Sequence, residues 1–409
     1  MRVLHIAHDH PDWTRGGTEI LAHGLARALN DRPGVRADFL AASTGLQRPE
    51  GAAGRLGAQG RDLTLHTGAY DRFMMTRLDG LGWTGALAEA VARLRPQAIH
   101  LHGLDRIGAE ALAALRRLAP RARILLTLHD YQLICANDGL MLTPQGARCA
   151  GASPDRCAAC LPGLGMARHA LRKAHLLALL SVVDVFIAPS RFLRDRFIDW
   201  GIEPARIRLV PNAVAAGPRA AEPARARRDR FAFFGNVAAH KGALVLLEAA
   251  ALLKAGGADL RLALHGGLGH PAPDFAAAFA ERLAAARPLA QHLGPYDPAE
   301  VQGLMAGADW IVLPSVWAEN APLTALEARA AGRPVICSGI GGLAELVEDG
   351  VTGLHTPPGD AAALAETLLG AAGTPGLWER LRPDPGPSHA DFVDAHLALY
   401  RSLSLRVAA

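Results

Sequence analysis

Apolar runs of four or five residues alternate along the chain with longer stretches in which apolar positions recur every three or four residues. The short runs read as strands buried on both faces, and the periodic stretches as helices that cover them. Residues 3–7 precede a helical pattern over 19–29, 98–101 precede 109–118, and 124–128 open a further unit. The alternation resumes later, with 231–234 before 243–254, 260–264 before 275–286, and 310–313 before 323–331. Repeats of this kind wind parallel sheets, and the break between the two series predicts two sheets.

The break is residues 213–229, dense in Ala, Pro and Arg and without apolar periodicity, which predicts a linker. The boundaries that follow are a first domain over 1–212, a second over 230–385, and a final amphipathic segment over 386–409 with its helix at 390–403. Prolines 383, 385 and 387 set that helix off, and periodicity does not say which domain it packs on. A length of 409 residues suits two domains, each with its own core.

Half the residues are apolar and a fifth charged, the composition of a soluble globular protein rather than a disordered or disulfide-built one. Residues 1–190 carry 22 basic and 16 acidic side chains, against 21 and 23 in the rest. That bias suits phosphate-bearing ligands or an anionic membrane surface as well as a plain Arg-rich surface. Aromatics are only 5%, with no basic run interleaved among them, so a nucleic-acid platform is not expected. The first eight residues lack the apolar core of a signal peptide, and the longest apolar run, 176–183, is too short to span a bilayer. A cytoplasmic protein is expected, with any membrane contact peripheral, at the inner face.

Chemistry concentrates in residues 313–347: Pro314-Ser315, Glu319, Pro322-Leu323, Glu327, Ala330-Ala331-Gly332, Pro334-Val335 and Gly341-Gly342. Pro322 marks a helix start, where the N–H groups of Leu323 and Thr324 have no intrahelical partners and attract phosphate. Glu319 before that end and Glu327 inside the helix are placed to accept hydrogen bonds from sugar or ribose hydroxyls. The plainer alternative is a pair of solvated helix charges.

The block resembles the signature of glycosyltransferase family 4, in which Glu, seven residues and Glu precede a small-residue helix, a Pro-Val strand and a Gly-Gly turn. Further matches follow in order along nearly the whole chain. Gly16-Gly17-Thr18-Glu19 opens the first helix, with Thr18 as the expected cap, and His129-Asp130 ends a strand. Pro189-Ser190 and Val210-Pro211-Asn212 read as architectural, and Phe234-Gly235-Asn236 with His240-Lys241-Gly242 opens the second domain. Only three of the 43 basic residues are lysines, so Lys241 reads as a position that needs a compact charge.

The resemblance implies an α/β protein of GT-B fold, two Rossmann-like domains with a donor/acceptor cleft between them. It implies retaining transfer of a sugar from a nucleotide-sugar donor to a glycan, lipid-linked or small-molecule acceptor, without a metal or other cofactor at the reaction centre. The donor is expected on 230–385 and the acceptor on 1–212. His129, Lys241 and Glu319 take the catalytic roles: His129 beside the reacting sugar, Glu319 near the donor sugar, Lys241 on the diphosphate. Gly16, Gly17, Gly235, Asn236, Asn320, Leu323, Thr324 and Glu327 complete the donor set, with Gly17 at the phosphates and Glu327 on the ribose. One departure stands out, since Asn236 occupies a position where the family often has Arg, which leaves charge neutralisation to Lys241 and the helix end. An inactive nucleotide-sugar-binding subunit and a sugar-nucleotide epimerase on the same fold are the competing readings, the second disfavoured by the paired glutamates. Residues 43–67, among the loops expected to shape the acceptor pocket, have no readable chemistry.

Cys135, Cys149, Cys157 and Cys160 fall within 26 residues, as C-x13-C-x7-C-x2-C, while Cys337 lies on an expected core strand. Four thiols in one Gly/Pro-containing loop predict a closed structural zinc site; reduced thiols, a Cys157–Cys160 disulfide and an iron–sulfur cluster are the alternatives. After this loop, residues 166–183 read as a basic amphipathic helix with Arg168, Arg172, Lys173 and His175 beside four leucines. A core-facing helix is the expected role and a membrane-surface role the minor one.

Overall fold

The structure, a computed structural model, describes residues 1–14, 16–44, 56–78, 80–215, 227–381, 383 and 386–405. The chain divides into two compact units, Met1–Pro211 together with the last helix, and Asn212–His389.

The first unit is built on β1 (Arg2–Ala7), β2 (Arg36–Thr44), β3 (Leu56–Gln59) and β4 (Asp62–Thr67), with a small hairpin of β5 (Tyr70–Asp71) and β6 (Thr76–Arg77) standing apart. It continues through β7 (Ala98–His102), β8 (Arg123–Thr127), β9 (Val185–Ala188) and β10 (Ile207–Leu209). The sheet order is β10-β9-β8-β7-β1-β2-β4-β3, parallel except where β3 pairs antiparallel with β4. The chain first winds one way from β1 to β2 and later the other way from β7 outward, so the strand order reverses between β1 and β7. Ligands of open α/β sheets bind beyond the carboxyl ends of the strands at such a reversal.

The second unit holds β11 (Arg230–Phe234), β12 (Arg261–His265), β13 (Ala290–Gly294), β14 (Trp310–Leu313), β15 (Val335–Ser338) and β16 (Gly353–Thr356). They lie in the order β13-β12-β11-β14-β15-β16, parallel throughout, with the reversal between β11 and β14. Helices cover both faces. Phe231 and Phe233 pack with Leu246, Leu247, Trp310 and Leu364 on one side, and Ala232 and Phe234 with Ile311, Leu313, Ala325 and Ala328 on the other. Two-sided burial explains the unbroken apolar run of β11, and each buried Phe contributes roughly 1.5–3 kcal/mol.

The elements fall where the periodicity puts them, with informative differences. The first helix, Gly17–Asn30, starts two residues early, and Thr18 is not its cap: Gly16 precedes the helix without a side-chain bond. Glu19 turns its carboxylate back over Gly16, into the space a Gly16 side chain would need. Pro322 likewise lies just before the helix Leu323–Ala330 rather than in its first turn. In the helix Gly165–Leu180, Arg172 is buried, not part of a basic outer face. It donates to the carbonyls of Phe73, Gln132 and Leu133, because the irregular segments it meets leave those acceptors without ladder partners, while Leu171 is exposed.

Residues 216–226 of the expected linker, 45–55 of the expected acceptor loops, and 382, 384 and 385 of the proline segment lie outside the described residues. Past the linker, Arg227 pairs with Asp259 and Arg228 stacks 3.8 Å over Trp378. The final helix, His389–Leu405, belongs to the first unit: the Tyr400 hydroxyl meets His100 Nδ1 at 2.6 Å, and Arg123 Nε donates to the Leu403 carbonyl. Among the described residues no helix is long and apolar enough to cross a membrane.

Candidate active site

In the second unit the segments after β11 and β14 meet at the strand-order reversal. A single helical turn, Ala239–Lys241, is closed by Gly242 at φ 75°, and the Val316 N–H donates to the His240 carbonyl. Gly242 is required there, because a Cβ would lie 1.9 Å from the Pro314 carbonyl oxygen. This seat brings Lys241 Nζ to 2.6 Å from Glu319 Oε1, which also accepts from Ser315 Oγ at 2.8 Å. Burial would raise the Glu319 carboxyl, but the Lys241 charge and hydrogen bonds from Lys241, Trp317 and Ser315 hold it below the usual carboxylate range. It is an anchored anion beside a half-exposed ammonium.

From the other side the Gly341-Gly342 turn holds the same loop. The Gly342 N–H donates to the Glu319 carbonyl, and a Cβ on Gly342 would overlap the Asn320 carbonyl at 1.4 Å. Asn320 is buried beneath, and the helix that begins at Leu323 leaves the N–H groups of Leu323 and Thr324 without intrahelical acceptors. Glu327 sits one turn further, its carboxyl pushed up to about 7 by burial. Tyr296 feels its charge. Gly235 and Asn236 follow β11 as expected, with Asn236 exposed. The second unit thus gathers Lys241, Glu319 and Asn320 with the helix start and Glu327.

Gly16, Gly17 and His129 belong to the first unit. Beyond β1, His8 Nε2 lies 2.9 Å from Glu19 Oε1. Burial works against a charge on His8, but the Glu19 hydrogen bond and carboxylate raise its pKa above the ordinary value. His129 is driven down to about 3 by burial and then by His8, so it is neutral. Its Nε2 lies 3.2 Å from His102 Nδ1, and His102 Nε2 lies 3.0 Å from His5 Nδ1. The result is a neutral imidazole backed by a row of buried histidines, next to a His8–Glu19 pair. Sequence reading singled out neither His8 nor His102. The rule that picked His129, a polar residue at a strand end by the reversal, applies equally to both.

Among the described residues two groups bring three ligand atoms within 4.8 Å, His5–His100–His102 and His10–His23–Asp62. In the first, His100 is bonded to Thr127 and Tyr400 and His102 to His5 and His129, while the buried His5 Nε2 has no hydrogen-bond partner among the described residues. In the second, Arg27 closes on Asp62. Cys135, Cys149, Cys157 and Cys160 line a common cavity of the first unit and are not disulfide-bonded, and no three of their sulfurs gather within 4.8 Å.

Two doubly wound sheets, the second carrying an ion pair and a helix start at its reversal point, define a protein of the α/β class with two Rossmann-like domains. The chain belongs to the glycosyltransferases of family 4 type with the GT-B fold: residues 15–216 match the family model "Glycosyltransferase Family 4" and residues 228–372 match "Glycosyl transferases group 1". It is 36% identical over 138 residues to D-inositol 3-phosphate glycosyltransferase of Arthrobacter sp. (strain FB24), a stretch covering 33% of this chain and 32% of that protein. The chain therefore matches about a third of that relative's length. In fold it resembles HepE of Anabaena, solved with UDP and glucose, at 18% identity, TM-score 0.65 and coverage of 100% and 98% of the two chains. It also resembles sucrose-phosphate synthase of Thermosynechococcus elongatus at 19% identity, TM-score 0.69 and full coverage of both.

Proposed function

We propose that the protein is a retaining glycosyltransferase that moves a sugar from a nucleoside-diphosphate sugar to a hydroxyl of a glycan, lipid-linked or small-molecule acceptor. The observation that carries this reading is the 2.6 Å Lys241–Glu319 pair beside the start of the helix Leu323–Ala330. The ammonium and the Leu323 and Thr324 N–H groups receive the negative charge that builds on the diphosphate as the sugar C1–O bond breaks. Glu319 orients Lys241 and accepts from hydroxyls of the donor sugar. Neutral His129 in the first unit takes or gives a hydrogen bond at the reacting sugar. No enzymic nucleophile is assigned. With protein groups supplying the positive charge, no metal step is needed.

A panel of UDP-, GDP- and ADP-sugars tests the reading. Slow hydrolysis or transfer of one of them, persisting in EDTA, is the expected result. Binding without turnover would favour an inactive subunit, the reading that exposed Asn236 supports, and sugar interconversion would favour an epimerase.

Glu327 gives this reading a pH signature. Ribose hydroxyls donate more strongly to a carboxylate than to a protonated acid, so a bound ribose draws off the proton that burial retains up to about 7. Affinity for the preferred nucleotide should therefore weaken as the pH falls through that value, measured by titration calorimetry. Glu327→Gln should flatten the profile and weaken binding roughly tenfold. An unchanged profile would remove Glu327 from the ribose.

A further inference from the structure

Four sulfurs face one space in the first unit. Cys135 and Cys149 come from irregular chain after β8, and Cys157 and Cys160 lie one turn apart on the short helix Pro154–Cys160. All four line a cavity of about 190 Å³ that also touches Met141, Leu142 and His169. His169 is buried, and its Nε2 has no hydrogen-bond partner among the described residues.

Size decides what such a set holds. A tetrahedral zinc about 2.3 Å from each sulfur draws four thiolates to about 3.8 Å from one another and leaves no room between them. Here no three of the sulfurs gather within 4.8 Å, and the space among them would take several water molecules. An iron–sulfur cluster puts irons and sulfides between its thiolates and spreads them in this manner.

Charge agrees. Four thiolates around such a cluster leave a net anion, and cations stand against it. Arg148 and Arg156 line the cavity, while Arg172, fixed by three backbone carbonyls, acts on Cys135 and Cys157. Nearby positive charge is one of the usual means of holding a cluster.

We propose that Cys135, Cys149, Cys157 and Cys160 ligate an iron–sulfur cluster, a structural centre that pins the segment between β8 and the helix Gly165–Leu180. A preassembled cluster carried on four exchangeable thiolates enters by ligand exchange: four cysteine S–H bonds and four carrier S–Fe bonds break, four new S–Fe bonds form, the protons pass to the departing thiolates, and no electron is transferred. The centre is independent of the glycosyl-transfer reading, and its test does not use that activity.

The full-length chain, purified without air, is assayed for iron, zinc and acid-labile sulfide and for visible absorption. Equal iron and sulfide, about two or four of each per chain, with a brown colour bleached by dithionite, is the expected result. Cys157→Ser and Cys160→Ser should each lower bound iron several-fold, and Cys337→Ala should leave it in place. Should the serine variants fail to fold, air exposure of the unmodified protein gives the second readout: iron is lost and four thiols become open to alkylation. Colourless protein with one zinc, protein without metal, or iron that survives in Cys157→Ser would overturn the proposal.

Discussion

Lys241→Ala is expected to lower turnover of the preferred nucleotide sugar by about 100-fold or more, the usual cost of removing one group that receives developing negative charge. The substitution acts twice. It withdraws the ammonium from the leaving diphosphate, and it strands the buried Glu319 carboxylate, which keeps only Ser315 and Trp317. The second effect costs about 1–3 kcal/mol of stability, visible in thermal melting. Glu319→Gln separates the two effects, since the amide still accepts from Ser315 and removes the stranded charge. The double variant should therefore regain stability but not turnover. Lys241→Arg should rescue only in part, because a planar guanidinium does not fit a seat shaped for a point charge. Turnover of Lys241→Ala within about threefold of the unmodified protein would move the diphosphate away from this residue.

Gly242→Ala should be the most damaging single-methyl change in the second unit. The backbone at φ 75° disfavours any side chain, at about 1–2 kcal/mol, and the new methyl would sit 1.9 Å from the Pro314 carbonyl oxygen, which belongs to backbone and cannot swing aside. Relief requires the turn Ala239–Lys241 to lift from Pro314, adding about 1–3 kcal/mol of strain and drawing Lys241 away from Glu319. Melting of the unit should fall by several degrees, and nucleotide affinity should fall with it. Gly257→Ala, at φ 73° but with open space around it, is the control: it carries the backbone cost without the collision. Equal effects from the two would show that φ alone matters and that the close approach to Pro314 does not.

The strands and helices were legible because both sheets are buried on two faces, which leaves unbroken runs such as Phe231–Phe234 in the chain. The 313–347 block was legible as well, because prolines, glycines and two glutamates mark the turns that the close approaches at Gly242 and Gly342 demand. Side-chain direction was not. Arg172 reads as one of four cations on a polar face, yet it turns inward to three carbonyls that only the folded loop presents. Thr18 has the chemistry of a cap, but the cap space is filled by Glu19, whose partner His8 lies just beyond β1. His8 and His102 carry no local mark, since their role depends on which strands lie side by side, and a sheet order that reverses between β1 and β7 is a long-range property. The cysteines showed their number and closeness in sequence, while the room between their sulfurs is a three-dimensional quantity.

The last helix gives the protein an unusual order of assembly. His100 and Arg123 receive their partners from residues 400 and 403, so an emerging chain that has finished the first 211 residues still lacks one wall of its leading module. Those contacts can form only after the entire second sheet has left the ribosome, so a helix encoded beyond the second unit completes the first.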